Sequence, residues 1–157
     1  MDLDLTPALN ELGRQIVAEM RTTLQQNRSN ASGNLSREIN YEVIGTGDDL
    51  TLSITYPEYG EVLDKGRGQS RRGGPNQEWR NKIVAWMRYK GISPRQGMTV
   101  ETVAYLITRK INREGYKAKP WIDSSVEKVL SQDLDKVFGP AIVEKLNEIF
   151  PPDLFKK

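Results

Sequence analysis

The sequence has 0 Cys and 0 His, and these two absences exclude much of protein chemistry. Without cysteine there is no disulfide, no thiolate nucleophile and no thiolate-bound zinc. Without histidine the usual general base at neutral pH and the commonest nitrogen ligand for a metal are also missing. Carboxylates remain, and two groups lie near expected turns: Asp48 with Asp49, and Glu58 with Glu61 and Asp64. Paired acids can serve glycosidase or metal chemistry, but acids in these settings read as solvated turn and strand-edge charges. The one glycine-rich stretch, Gly66 to Gly74, lacks the Gly-Lys-Ser/Thr ending of a phosphate-binding loop. No catalytic residue, metal site or cofactor is expected. Long uncharged apolar runs are missing too, and the N-terminus carries Asp2 and Asp4 where an export signal would be basic. The expectation is a protein made in the cytoplasm and not inserted in a membrane. Charge of one sign is equally scarce: 23 Lys and Arg face 21 Asp and Glu, for a net charge of +2. That balance is too even for a general attraction to nucleic acid.

What is present begins with alternation. Leu50, Leu52, Ile54 and Tyr56 alternate with Thr51, Ser53 and Thr55, so a strand there has one apolar and one hydroxylated face. Ile39, Tyr41 and Val43 alternate in the same way before it, and Gly45-Thr46-Gly47-Asp48-Asp49 joins the two runs with turn-tolerant residues. The pattern predicts a hairpin over 35–57, which needs cover on its apolar face. An N-terminal helix over 1–28 supplies it. Thr6 caps this helix with Pro7 at its first position, and Leu9, Leu12, Ile16, Met20 and Leu24 make one stripe. Asn27 to Asn34 is loop chemistry.

Beyond the hairpin, Tyr59, Val62 and Leu63 suit a short helical turn ending at Gly66. A basic glycine-rich loop, 66–75, has nothing apolar to bury and is expected to be mobile and solvent-facing. A helical insertion follows over 76–114. Pro75 opens a helix with Trp79, Ile83, Trp86 and Met87 on one side, and Thr99 caps the next, with Val100, Val103, Ile107 and Ile111 on one face. Arg109, Lys110 and Arg113 crowd its C-terminal end, where the helix dipole favours cations. Gly115 to Lys119 suits a short strand. C-terminal helices are expected over 124–150: one opened by a capping box from Ser124 to Glu127 and running to Gly139, and one restarted by Pro140. The whole reads as a single α+β domain, 1–157, with a small antiparallel sheet built on the central hairpin.

Three segments in order carry a family resemblance. Ser32-Gly33-Asn34-Leu35-Ser36-Arg37-Glu38-Ile39 leads into the first strand, Tyr59-Gly60-Glu61-Val62-Leu63-Asp64-Lys65-Gly66-Arg67 follows the second, and Lys119-Pro120-Trp121-Ile122-Asp123-Ser124-Ser125 precedes a C-terminal helix. In this order the chain resembles the tail-completion and head-to-tail joining proteins of tailed bacteriophages. The resemblance implies a structural virion protein, located in the neck or tail, that forms a homo-oligomeric ring. Its implied partners are other neck, portal or tail proteins, with weak, non-specific contact to packaged DNA.

Two sets of residues are the candidates for such a role. Tyr59, Trp79, Trp86 and Trp121 supply more large aromatic surface than one small core needs, and are candidate subunit contacts. Arg67, Arg71 and Arg72 are candidates to face DNA, since flexible Arg and Gly segments can follow a phosphate backbone. The same loop supports the alternative of a small nucleic-acid-binding module.

Overall fold

The computed structural model describes residues 4–70, 76–132 and 134–149. It is α+β: seven α-helices and one two-stranded antiparallel sheet in the order α1 (Thr6–Gln26), α2 (Asn34–Glu38), β1 (Asn40–Ile44), β2 (Thr51–Thr55), α3 (Glu58–Lys65), α4 (Gln77–Lys90), α5 (Val100–Glu114), α6 (Asp123–Leu130) and α7 (Asp135–Ile149). The contacts gather into two compact units interleaved along the chain. The first takes the segments up to Thr23, from Glu38 to Tyr56 and from Trp121 onward; the second takes Leu24–Arg37 and Pro57–Pro120. No compositional break marks this division, because each unit is assembled from segments far apart in sequence.

In the first unit the alternation becomes a register. Tyr41 stands opposite Ile54 and Val43 opposite Leu52, so the half-buried apolar side chains of both strands share one face. Helix α1 lies against that face at Gly13, where an added Cβ would run into the side chains of Tyr41 and Leu52. A mid-helix glycine costs about 1 kcal/mol relative to alanine, and here the close approach of helix to strand requires it. The predicted stripe is buried at Leu12, Ile16, Met20 and Leu24, with Ala8 and Val17 beside it. Between the strands Gly45 has φ +100°, and any Cβ there would collide with the Asp49 carbonyl.

The predicted start of the hairpin at residue 35 is corrected: residues 34–38 form α2, and β1 begins at Asn40. Leu35 is the only apolar residue in Asn34–Glu38 and is buried, while Gly33, at φ +77°, turns the chain so that its carbonyl accepts from the Arg37 N–H at 3.1 Å. The cap of α1 also differs. Thr6 is the first helical residue, and Asp4 Oδ1 accepts its N–H at 3.0 Å.

The C-terminal helices depart from expectation at two places. The capping box does not form: α6 follows Ile122 without a side-chain cap. Ser125 is instead fully buried, its hydroxyl donating to the Trp121 carbonyl and sharing a hydrogen bond with Thr23 Oγ1 at 3.0 Å. Second, the break falls before Asp135, and α7 runs through Pro140. Proline in the second turn gives up one backbone bond, to the Lys136 carbonyl, and its fixed φ suits a helix. The Leu134 carbonyl starts the new helix by accepting from Val137 and Phe138, each at 2.9 Å.

In the second unit α4 and α5 pack together around Met87, Ala104 and Thr108. The small side chains at Ala104 and Thr108, one turn apart, let the helices approach, and the buried Thr108 hydroxyl is satisfied by the Ala104 carbonyl at 2.7 Å. Asn76 caps α4 through the Trp79 N–H at 2.8 Å, and Thr99 caps α5 through the Thr102 N–H at 3.1 Å. Pro75, the expected start of α4, lies outside the described residues. Helix α3 ends at Gly66 as the sequence suggested, and the expected strand at 115–119 is a single bridge between Arg67 and Tyr116.

Candidate assembly and binding surfaces

The hairpin is the sheet. Among the described residues no third strand pairs with the outer edge of β1 or of β2. Ile44, the last residue of β1, is 50% exposed, which adds an apolar contact to an open row of backbone donors and acceptors.

The four candidate aromatics do not act together. Trp121 is fully buried in the first unit, edge-on to Tyr56 with ring centroids 5.4 Å apart and an interplanar angle of 74°. The interface role given to it is therefore corrected: it is a core residue, with no surface to offer a neighbour. Trp79 is half-buried in the second unit, with the Arg67 guanidinium 4.8 Å above its ring centre. Tyr59 and Trp86 keep 52% and 38% exposure, and both line one groove of about 620 Å³ within the second unit.

The basic loop is anchored at its start. Backbone bonds of 3.1 and 2.9 Å join Arg67 to Tyr116, and the Ser70 N–H donates to the Asn112 carbonyl at 2.8 Å. Two positive-φ glycines permit this approach: a Cβ on Gly66 would lie 2.6 Å from the Ala118 nitrogen, and one on Gly115 would meet the Arg67 carbonyl. The mobile loop expected from Gly66 is thus pinned as far as Ser70, because backbone pairing needs no apolar side chains. Burial pushes the Tyr116 hydroxyl up from its ordinary pKa, and the Arg67 charge partly opposes that shift. The Arg67 guanidinium lies over Trp79, while Arg71 and Arg72 lie outside the described residues.

Of the acids, Glu61 pairs with Lys65 one turn on. Among the described residues no group of three or more His, Cys, Asp or Glu is placed to hold a metal ion, and no helix is long and apolar enough to cross a membrane.

The sequence reading missed the cations around the aromatic groove. Arg28, Lys82, Lys90 and Lys119 line it, and among the described residues no carboxylate does. They come from a helix end, from α4 and from the segment after α5, so no local charge run announces them. The available signal was the spacing of Lys82, Trp86 and Lys90 on successive turns of α4. Comparison with known proteins finds no family model, curated protein or solved structure that matches the chain.

Proposed function

We propose that this chain is a structural virion protein of a tailed bacteriophage, one that forms a homo-oligomeric ring at the head–tail junction or tail end beside other neck, portal or tail proteins. One observation supports the assembly part of this reading: a two-stranded sheet whose outer edges carry no further strand among the described residues, with Ile44 half exposed at the end of β1. An edge of this kind is a template for another chain. If the edge meets a different patch on the next copy, the contact is heterologous, and successive copies close a ring or run on as a fibre. The ordered segments 32–39, 59–67 and 119–125 supply the phage part by resemblance. The alternative, a nucleic-acid module built on the basic loop, gains nothing at Arg67, whose guanidinium stacks on Trp79.

Cryo-electron microscopy of assembled particles tests the proposal. The expected result is rotational symmetry of this component, with strand or helix contacts between successive copies. Ile44→Lys, a charge at a strand edge, should leave the fold intact and abolish those rings. A single copy per particle, or a two-fold dimer with the hairpin edge in solvent, overturns the reading.

A further inference from the structure

The groove of the second unit combines features that a solvent-facing crevice does not need. Its walls are Tyr59 and Leu63, one turn apart on α3, and Ala85, Trp86 and Tyr89 on α4, with Tyr89 63% exposed. This is the i, i+3, i+4 arrangement by which two helices offer a slot to a third helical ridge.

The rim is cationic and held in place. Lys90 Nζ donates to the Arg28 carbonyl at 2.7 Å and Lys119 Nζ to the Asn27 carbonyl at 3.3 Å. Each ammonium has three donors, so one carbonyl fixes its position and leaves its charge in place. Neither lysine makes an ion pair among the described residues, whereas Lys82 is paired with Glu78 at 2.9 Å.

Arg28 adds an independent observation. The Ser29 N–H donates to the Leu24 carbonyl and the Arg28 N–H to the Gln25 carbonyl, both at 3.0 Å. This paired closure of a helix normally places glycine at the left-handed position. Arg28 holds it instead, at φ +52°, as the one non-glycine residue with positive φ among the described residues. An L residue at that dihedral is strained, and Arg28 is one of the residues that line the groove. Asn30 lines the groove as well, and its Oδ1 atom is buried without a hydrogen-bond partner among the described residues.

We infer that this groove is a docking site for an acidic amphipathic helix of a partner protein, with large apolar side chains seated between Leu63, Trp86 and Tyr89 and carboxylates meeting Arg28, Lys90 and Lys119. The largely apolar floor favours a peptide over a nucleic-acid strand, which would need more than three unpaired cations to follow its phosphates. The inference does not rest on the ring reading, since the groove lies within the second unit and the open strand edges within the first.

The test uses the full chain and a fluorescein-labelled 16-residue helical peptide with Leu and Phe at i, i+3, i+4 and i+7 and Glu elsewhere, followed by fluorescence anisotropy. Two controls share its length: the same peptide with Lys for Glu, and a labelled oligothymidine. The Glu peptide should saturate the protein in the micromolar range, the Lys peptide at least tenfold more weakly. Trp86→Ala should weaken binding by at least tenfold and the double change Lys90→Gln, Lys119→Gln by roughly fivefold, as for exposed charge pairs, with each variant shown by thermal unfolding to be folded at the assay temperature. Equal binding of the Glu and Lys peptides, tighter binding of oligothymidine, or no binding of the Glu peptide at 100 μM (about the weakest affinity such a helix contact would have) overturns the proposal.

Discussion

The two units spend their apolar residues differently. Among the described residues most buried ones belong to the first: Ala8, Leu12, Ile16, Val17, Met20, Ile39, Trp121 and Val129, as against Leu24, Leu35, Met87 and Ala104 in the second. Large exposed apolar side chains show the opposite trend, with Tyr59, Val62, Trp86, Tyr89, Tyr105 and Leu106 all in the second. Scattered exposed apolar residues are ordinary on a protein surface. Several that share a groove with cations are the ground for the docking proposal. The first unit is therefore where stability should be most sensitive to substitution, and the second is where binding can change while stability does not.

The sharpest way to break this comparison is Trp121→Ala. Truncating a fully buried tryptophan typically costs about 3–5 kcal/mol, which for a chain of this size lowers the melting temperature on the order of ten degrees. The companion change Trp86→Ala removes the same side chain from a wall where it is 38% exposed, and should cost clearly less than Trp121→Ala because less apolar area is lost from the interior. If thermal unfolding by circular dichroism showed equal losses, the division of labour between the units would be wrong.

A smaller, local effect is expected at Gly115→Ala. The position combines φ +71° with a Cβ that would meet the Arg67 carbonyl, and strain of this kind costs about 1–3 kcal/mol. The amides of Arg67 and Tyr116 should lose about tenfold or more in hydrogen-exchange protection, since 1.4 kcal/mol is tenfold in an equilibrium, while Tyr41 and Val43 keep theirs. Uniform loss across both units would show that they open together.

Much of the first unit was legible in the sequence, because period-two and helical spacings report burial directly. The apolar faces of the strands, the stripe of α1 and the glycine turn at Gly45 all follow from residue types and spacing. Trp121 was misread for a related reason. It stands alone between Pro120 and Ile122, without a repeat to show which way it faces, and only the fold brings it to Tyr56. The capping box at Ser124 failed because Ser125, its neighbour, is drawn into the core by the Trp121 carbonyl. The groove was the least legible part, since Arg28, Lys90 and Lys119 meet through contacts between segments far apart in sequence. Arg28 could not be singled out at all, because its distinguishing property is a dihedral angle.

That angle gives the third prediction. Arg28→Gly relieves the left-handed strain and should stabilise the protein by up to about 1 kcal/mol, the usual cost of an L residue there. It also removes one of the three rim cations, so the acidic peptide should bind more weakly to a more stable protein. Thermal unfolding and anisotropy on the same sample check both. A loss of stability would mean that the Arg28 side chain contributes more to the folded state than its backbone costs.

The smallest effect concerns pH and asks whether the surfaces of the two units differ electrostatically at all. On α1, hydrogen bonds from Arg14 and then Gln15 hold the Glu11 carboxyl down from its ordinary 4.5 to about 2. In the second unit Glu78 is lowered by Lys82 and Glu114 by Arg113, in the same direction. A carboxyl whose folded pKa is depressed contributes stability that is fully present above its unfolded value. For Glu11 that contribution is lost as the pH falls from 4.5 toward 2. The carboxyl is open to solvent, with 41% of its side-chain surface exposed, so screening keeps the effect small. Glu11→Gln should therefore leave the melting temperature at neutral pH almost unchanged and slightly flatten its decline in acid. An NMR titration of the side-chain carboxyl carbons should place Glu11 below Glu78 and Glu114. If Glu11 titrated near 4.5, its bonds to Arg14 and Gln15 would not persist in solution.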